Sequence, residues 1–168
     1  EESESYIDSN LRIAMSLDAK SRNRYLEVWH NDEDRKYIEE LLTNQKIPKG
    51  QILVCIHPGS KWQSKRWFPG RFAQVADFLV SNYNAAVVFS GTRKDSATVN
   101  EIRRRMGQLS ISLVGKTNLN QLAALIERAN LFLGVDSGPQ HIAQAVDTPM
   151  VLLMSAIDLP QRWRPLGE

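Results

Sequence analysis

Two stretches of this chain bring together side chains that could hold a diphosphate. The first reads IHPGSKWQSKRWF and spans residues 56–68. Gly59 permits a tight turn and a close backbone approach, and Ser60 can donate a hydroxyl hydrogen bond. Diphosphate oxygens require several charge-assisted donors. The cations available for this are Lys61, Lys65 and Arg66. A solvated basic loop, held to the next helix by Trp67 and Phe68, explains the same residues equally well.

The second stretch, GVDSGPQHIA, has the composition of a strand end followed by a helix start. The free N–H groups of a helix's first turn bind anions, and the helix dipole favours negative charge there. Ser137 and Gly138 stand where a phosphate would dock, and His141 falls within the same turn. Asp136 could accept hydrogen bonds from a ligand hydroxyl or from nearby backbone. The alternative is that Asp136 or Ser137 only caps the helix, with His141 a bystander.

Two further loops, SGTRKDS at residues 90–96 and GKTN at residues 115–118, carry weaker signals. Glycine and threonine after a strand, and Thr117 before a helix, could line a nucleoside pocket. Lys94 and Asp95 are expected to be solvated, with Asp95 as the cap of the following helix.

The composition excludes several other kinds of protein. A formal net charge of +2 over 168 residues offers no extended track for a polyanion. Cys55 is the only cysteine, which excludes an internal disulfide, and the three histidines are too scattered to suggest a metal cluster. The glycine fingerprints of P-loops and of dinucleotide sites are absent, and no apolar run reaches the roughly 20 residues of a membrane span. The chain begins at Glu1, from which we expect a piece of a longer protein.

Apolar runs and helical periodicities alternate from residue 51 onward. The runs do not alternate between apolar and polar residues, which predicts strands covered on both faces, as in parallel sheets. The predicted strands are 51–57, 85–90, 110–114, 131–135 and 149–154, and the predicted helices are 70–82, 95–106, 119–129 and 139–146. This order predicts a doubly wound α/β fold with helices on both faces. Ligands of such sheets bind beyond the carboxyl ends of the strands, where the loops described above lie.

Residues 1–50 differ from the sheet domain at 51–168, and we interpret them as a helical connector that carries remnants of a preceding domain. Apolar spacing predicts one helix near the start of the chain and a second that begins near residues 31–32. The run RYLEVW at residues 24–29 predicts a short strand between them. Near the other end, Trp163 and its neighbouring arginines have no obvious partner.

Three segments, taken in order, resemble the bacterial family-nine glycosyltransferases, the ADP-heptose:lipopolysaccharide heptosyltransferases. They read IHPGSKWQSKRWFPGRFAQVADFL, GVDSGPQHIAQAVDTPMVLL and DLPQRWRPLG, and the resemblance runs from about residue 51 to the end. It implies a Rossmann-like domain, one half of a GT-B enzyme, that binds the nucleotide-sugar donor. The family's other half, with the acceptor site and a carboxylate general base, has no counterpart in this chain.

The resemblance also implies roles for individual residues. Those that the resemblance places against the diphosphate or the sugar are Ser60, Lys65, Asp136, Ser137, Gly138 and His141. The residue types of the first loop add Gly59, Lys61 and Arg66 as candidates. Within this set, Ser60 and Lys65 would stabilise the charge of the departing diphosphate. Thr117 would lie near the adenine, and Asp95 or Lys94 near the ribose.

The function that the resemblance predicts is an inverting transfer of heptose from ADP-heptose to a lipopolysaccharide core acceptor, with the fragment alone inactive. No metal or other cofactor is expected. The expected partners are the ADP-sugar donor and a lipid-linked saccharide held mainly by the other half, and not nucleic acid. The expected location is cytoplasmic, with at most peripheral contact at the inner face of the inner membrane.

Two departures from the family pattern leave alternatives open. Phe68 stands between Trp67 and Pro69, where the family commonly has Trp-Pro, and residues 155–159 replace a Gly-Pro that precedes a Thr-Asp-Pro in the family. Another GT-B nucleotide-sugar enzyme, such as a UDP-sugar transferase or an epimerase, therefore remains an alternative. A less favoured one is a non-catalytic nucleic-acid module that uses residues 61–68 as a basic, aromatic platform.

Overall fold

The structure, a computed structural model, describes residues 4–20, 24–155 and 160–163. Its strands are β1 (Leu53–His57), β2 (Ala86–Phe89), β3 (Ile111–Ser112), β4 (Leu131–Val135) and β5 (Met150–Leu153). Its α-helices are α1 (Tyr6–Ser16), α2 (Asp32–Asn44), α3 (Pro69–Tyr83), α4 (Ser96–Arg105), α5 (Leu119–Arg128), α6 (Gly138–Ala145) and α7 (Pro160–Trp163). Every strand and helix predicted from residue 51 onward is present. Within the described ranges, no helix has the length and apolar character needed to cross a membrane.

The five strands form one parallel sheet in the order β3-β2-β1-β4-β5. The predicted doubly wound α/β fold is therefore confirmed. The central strand β1 is buried along its whole length, which explains why its sequence is apolar without alternation. The third strand is shorter than predicted, because only Ile111 and Ser112 pair with β2.

Helices cover both faces of the sheet, and each face has its own hydrophobic core. Leu53 and Cys55 of β1 belong to one core, whereas Val54 and Ile56 belong to the other. Successive side chains of a strand point to opposite faces, so the two cores lie on opposite sides of the sheet. The first core takes its helical residues from α2, α5 and α6, and the second takes them from α3 and α4.

Side-chain caps fix where two of the helices begin. Asn31 accepts a hydrogen bond from the Asp34 N–H (2.9 Å), and Asp34 accepts one from the Asn31 N–H (3.1 Å). Asn118 and Gln121 form the same reciprocal box ahead of α5. Each box satisfies two N–H groups that a helix start leaves unpaired.

The predicted strand at residues 24–29 is wrong. This segment lies outside helices and strands, with Tyr25 and Trp29 exposed and Val28 packed against the first core. Aromatic and β-branched residues favour strands only where a sheet offers a half-buried pleated surface. Here the chain runs past the first core, and Val28 packs against it.

The helix α2 belongs to the core of the sheet domain. Ile38 and Leu42 are buried in the same cluster as Leu125 of α5. The packing of α2 is thus continuous with that of the sheet, and the division of the chain at residue 50 stays a prediction about the longer protein.

Candidate functional site

The carboxyl ends of β1 and β4 form a crevice at the centre of the sheet. From β1 the chain builds β2 and β3 on one side, and it then returns to place β4 on the other side of β1. Such a reversal of strand order separates the loops after the two strands and leaves space between them, which is where doubly wound sheets bind ligands. The loops on either side of this space are residues 58–68 and residues 136–138.

One ion pair joins these two loops across the crevice. Lys65, at the end of the 3-10 turn Gln63–Lys65, places its Nζ 2.5 Å from Oδ2 of Asp136. The side chain of Lys65 is 15% exposed and that of Asp136 is 6% exposed. Burial makes each charge costly without the other, so the pair fixes the cation at the mouth of the crevice. The two predicted phosphate loops therefore meet at the same place.

The loop after β1 is held in shape by bonds to its own backbone. Arg66 donates from Nε (3.0 Å) and Nη2 (2.8 Å) to the carbonyl oxygen of Ser60. The Ser60 hydroxyl oxygen accepts a hydrogen bond from the N–H of Trp62 (3.3 Å). The hydrogen of the Ser60 hydroxyl is not used in that bond. Lys61 lies with Nζ 5.5 Å from the Trp62 ring centre. Within this loop, Lys65 is the cation directed at the opposite loop, and Arg66 is directed at the turn itself.

The sequence leads us to expect that two aromatic residues, Trp67 and Phe68, hold this loop to the next helix, and only one of them does. Trp67 does so: its ring contacts that of Phe72 edge-on, with centroids 5.1 Å apart, beside the second core. Trp62 is 60% exposed and Phe68 is 69% exposed. Phe68 occupies the N-cap position of α3, just before Pro69.

The start of α6 faces open space next to the ion pair. Ser137 is the N-cap residue, but its hydroxyl donates back to the carbonyl of Val135 (3.2 Å) and does not cap the helix. A Cβ added to Gly138 would meet no atom of the described residues within 4 Å. The backbone at this helix start is therefore accessible, and the helix dipole favours an anion there.

Two residues of α6 and one of α7 lie around the ion pair. Gln140 is 1% exposed and contacts both Asp136 and the backbone of Trp163. His141 is half-buried, and burial lowers its pKa while the nearby Asp136 opposes that shift. The Trp163 ring stacks on Tyr6 of α1 at 3.9 Å, and Lys65 Nζ lies 5.8 Å from it. The prediction that Trp163 lacks a partner is wrong, because its partner lies in a helix far away in sequence.

This arrangement is accompanied by a match to a known family over most of the chain. Residues 14–168 match glycosyltransferase family 9 (heptosyltransferase). The chain belongs to glycosyltransferase family 9. A lipopolysaccharide heptosyltransferase 3 of Escherichia coli is 35% identical over 161 residues, 95% of this chain and 46% of that protein. The same enzyme of strain K12 is 40% identical over 117 residues, 68% of this chain and 34% of the relative.

Solved structures share the fold of this family 9 chain. A glycosyl transferase family 9 protein from Veillonella parvula superimposes with a TM-score of 0.90 at 28% identity, over 99% of this chain and 48% of that one. The Escherichia coli ADP-heptose LPS heptosyltransferase II superimposes with a TM-score of 0.74 at 24% identity, over 88% and 45%. This chain spans about half the length of these relatives.

Elsewhere in this family 9 domain, Asp95 has a structural position that the sequence only partly indicated. It is buried, and its Oδ2 accepts from the N–H and the hydroxyl of Thr92, both at 2.8 Å. It does not lie in solvent, and its side chain makes no capping bond to α4. A Cβ added to Gly59 would lie 2.5 Å from Asp95 Oδ1. Glycine is required at position 59 because the carboxylate of the neighbouring loop packs against its Cα.

Two remaining predicted residues lie on the β2 and β3 side of the sheet. Thr117 is half-buried in the turn between β3 and α5, and Lys94 is exposed. In the strand order, β3 is separated from β1 by β2, so Thr117 belongs to a different part of the carboxyl edge from the ion pair. Their contact with a ligand stays a prediction.

A buried polar cluster below the crevice was not found from the sequence. His57 Nδ1 lies 3.0 Å from the Ser90 hydroxyl, which in turn lies 3.5 Å from Cys55 Sγ. Burial lowers the pKa of His57 to about 4, with Asp95 opposing, and raises the pKa of Cys55 to about 12. Both side chains are therefore neutral near pH 7 and act as packing groups. The available signal was their place in the apolar run of β1, where Cys55 is the middle residue and His57 is the last.

The second departure from the family pattern is mostly beyond what the structure describes. Of residues 155–159, Ser155 is the one described, and its hydroxyl oxygen is buried without a hydrogen-bond partner. In the described ranges, no group of three or more histidine, cysteine, aspartate or glutamate side chains is placed to hold a metal ion.

Proposed function

We propose that this family 9 chain is the donor-binding domain of an inverting glycosyltransferase that transfers heptose from ADP-heptose to a lipopolysaccharide core acceptor. The observation that carries the proposal is the Lys65–Asp136 pair across the crevice, beside the open start of α6. The names of the Escherichia coli relatives, lipopolysaccharide heptosyltransferase 3 and ADP-heptose LPS heptosyltransferase II, support the substrate class. The acceptor site and the general base belong to the other half of the complete enzyme, without which this chain is inactive.

In the reaction, an acceptor hydroxyl attacks the anomeric carbon of the donor from the face opposite the leaving group. Its proton passes to the base in the other half, and the bond between the anomeric carbon and the diphosphate oxygen breaks. Negative charge then develops on the departing diphosphate. In our proposal, Lys65, the Ser60 hydroxyl and the backbone at Ser137–Gly138 stabilise that charge as it grows.

Asp136 has a separate task in this scheme. An ammonium group carries three hydrogens, and Asp136 accepts one of them. The others remain for diphosphate oxygens, so the cation is shared between the protein carboxylate and the donor. The carboxylate keeps the ammonium at the crevice in the absence of a ligand and can accept from a sugar hydroxyl when the donor is bound.

The remaining parts of the proposal concern the metal, the other partners and the location. Lys65 and the α6 start supply positive charge where a divalent cation would otherwise neutralise a diphosphate, so we propose that binding requires no metal. His141, next to Asp136, would face the sugar or the diphosphate, and Thr117 the adenine. The complete enzyme would meet its lipid-linked acceptor at the inner face of the bacterial inner membrane, from the cytoplasm.

Titration of the chain with ADP, followed by backbone amide shifts, tests the donor site. We expect residues 59–65 and 136–141 to shift at millimolar ADP and to shift less with UDP. Silence of both segments would contradict the donor-site assignment, and stronger binding of UDP would favour a UDP-sugar enzyme. A single-stranded oligonucleotide serves as the third ligand, since tight, steeply salt-dependent binding would instead indicate a nucleic-acid module.

A further inference from the structure

Gln140 is a buried amide at which three elements around the ion pair meet. Its Nε2 lies 3.4 Å from Asp136 Oδ1, 3.4 Å from the carbonyl oxygen of Trp163 and 3.3 Å from His141 Nε2. Asp136 precedes α6, and Trp163 ends α7. Gln140 thus connects the strand end, its own helix and the last described helix through one NH2 group.

The orientation of this amide is fixed by its surroundings. The Asp136 carboxylate and the Trp163 carbonyl are acceptors only, so the NH2 group must face them and the oxygen must face away. In that orientation the Oε1 atom of Gln140 is buried without a hydrogen-bond partner among the described residues. A methionine of similar length would fill the space without burying an unpaired acceptor. The polar side chain therefore has a use that packing does not supply.

We infer that Gln140 is a positioning residue of the donor site, which holds the Asp136 carboxylate, and through it Lys65, in register with α7. Asp136 is held at both oxygens, by Lys65 at Oδ2 and by Gln140 at Oδ1. A carboxylate held at both ends cannot rotate and carry the lysine out of the crevice. The inference rests on the proposed function, since it assigns Gln140 to the diphosphate-facing lysine.

The side-chain amide of Gln140 also connects the ion pair to the stacked rings of Trp163 and Tyr6. Trp163, whose backbone Gln140 contacts, places its ring 5.8 Å from Lys65 Nζ and 3.9 Å from the ring of Tyr6. Lys65 is therefore bounded by Asp136 on one side and by an aromatic face on another, and Gln140 contacts the residue that supplies each of them. Loss of its NH2 group would loosen both boundaries together.

The test is Gln140→Met, which keeps the length of the side chain and removes the donor. We expect the dissociation constant for ADP to rise about fivefold, because one hydrogen bond to a charged group is lost. Binding of AMP, which lacks the second phosphate, should change by less than about twofold. The matched control is Thr148→Val, which removes a buried hydrogen bond to Ile126 (2.8 Å) just beyond the other end of α6. We expect this control to leave both affinities unchanged.

The following results decide whether Gln140 is a positioning residue. Unchanged ADP binding in Gln140→Met, or equal weakening of ADP and AMP, would overturn the positioning role. Failure of the unchanged chain to bind ADP would instead contradict the proposed function. In that case, or if Gln140→Met does not fold, the side-chain NH2 resonances of Gln140 are compared between the unchanged chain and Asp136→Asn. The inference requires them to shift, and it is refuted if they stay in place.

Discussion

At the carboxyl ends of β1 and β4, Lys65 and Asp136 of separate loops form an ion pair, whereas after β2 the carboxylate of Asp95 bonds a residue of its own turn. Lys65 and Asp136 are 71 residues apart in sequence and form a buried pair. Asp95 binds Thr92, three residues away, and the Asp95 side chain packs against Gly59. The first arrangement leaves a cation with unused hydrogens at a crevice. In the second arrangement, the carboxylate of Asp95 is already bonded within its own turn. Two charged loops at one sheet edge therefore have different roles.

The strongest test of this difference between the two regions is the substitution Lys65→Met. Removing the lysine leaves Asp136 buried and unpaired, which should lower the free energy of unfolding by about 3 to 5 kcal/mol. The affinity for ADP should fall at least about tenfold, because a charge-assisted donor to the diphosphate is lost. Chemical denaturation and ADP titration below the melting temperature measure the two effects separately.

The matched control is Lys61→Met in the same loop. Lys61 is exposed and contacts the Trp62 ring, so stability should change by less than about 0.5 kcal/mol and ADP affinity by less than about twofold. An equal loss of ADP affinity in both variants would mean that the loop attracts the ligand through its general charge. Lys65 would then have no special position.

The pH dependence of stability should report on the buried cluster below the crevice. The pKa of His57 is lowered to about 4 in the folded chain from an ordinary value of 6.5, so the unfolded chain binds the extra proton first. Stability should therefore fall as the pH drops from about 6.5 towards 4, by up to about 3 kcal/mol. His141, whose pKa is also lowered, adds to the fall in the same direction. Melting temperatures measured across this range provide the test.

His57→Gln separates the histidine from the other groups that titrate. Glutamine can still bond the Ser90 hydroxyl but has no proton to gain, so much of the acid-induced loss should disappear. A pH profile that is the same in the variant and in the unchanged chain would assign the loss to carboxylates elsewhere.

Much of the fold could be predicted from the sequence because local signals agreed with the final packing. Runs of apolar residues without alternation predicted the five strands, and the helical spacing of apolar residues between them predicted α3, α4, α5 and α6. The strand predicted at residues 24–29 failed because β-propensity holds only where a sheet edge receives the chain. Whether an edge is available depends on the strand order, which no local pattern in this sequence specifies.

In the candidate site, too, some residues could be predicted from the sequence and others could not. Lys65, Ser137 and Gly138 could be found from residue type and from their positions after strands. Gln140 and Trp163 could not, because their relevance comes from contacts with distant elements, and a glutamine inside a helix carries no signal of its own. Chemistry at the strand ends is visible in the sequence, whereas the side chains that hold it in place are visible only in the packing.

A smaller effect is expected from Gly59→Ala, which tests whether Asp95 serves the turn. The added Cβ would lie 2.5 Å from Asp95 Oδ1, so the carboxylate must move, at a cost of about 2 kcal/mol. In an Asp95→Ala background the clash is absent, and the same substitution should cost less than about 0.5 kcal/mol. A double-mutant cycle by chemical denaturation measures this coupling. Additive effects would show that Gly59 is needed for another reason, such as close approach of the ligand.

The smallest effect is expected from Arg66→Lys, and it separates the two cations that are adjacent in sequence. Arg66 donates two hydrogen bonds to the Ser60 carbonyl, and lysine can replace only one of them. Stability should fall by about 1 kcal/mol, while ADP affinity should stay within about twofold, because the charge is retained and the diphosphate-facing lysine is untouched. A large loss of ADP affinity with little change in stability would place Arg66 on the ligand. Lys65 and Arg66 would then share one role, and the distinction between groups that shape a loop and groups that face the crevice would not hold within this turn.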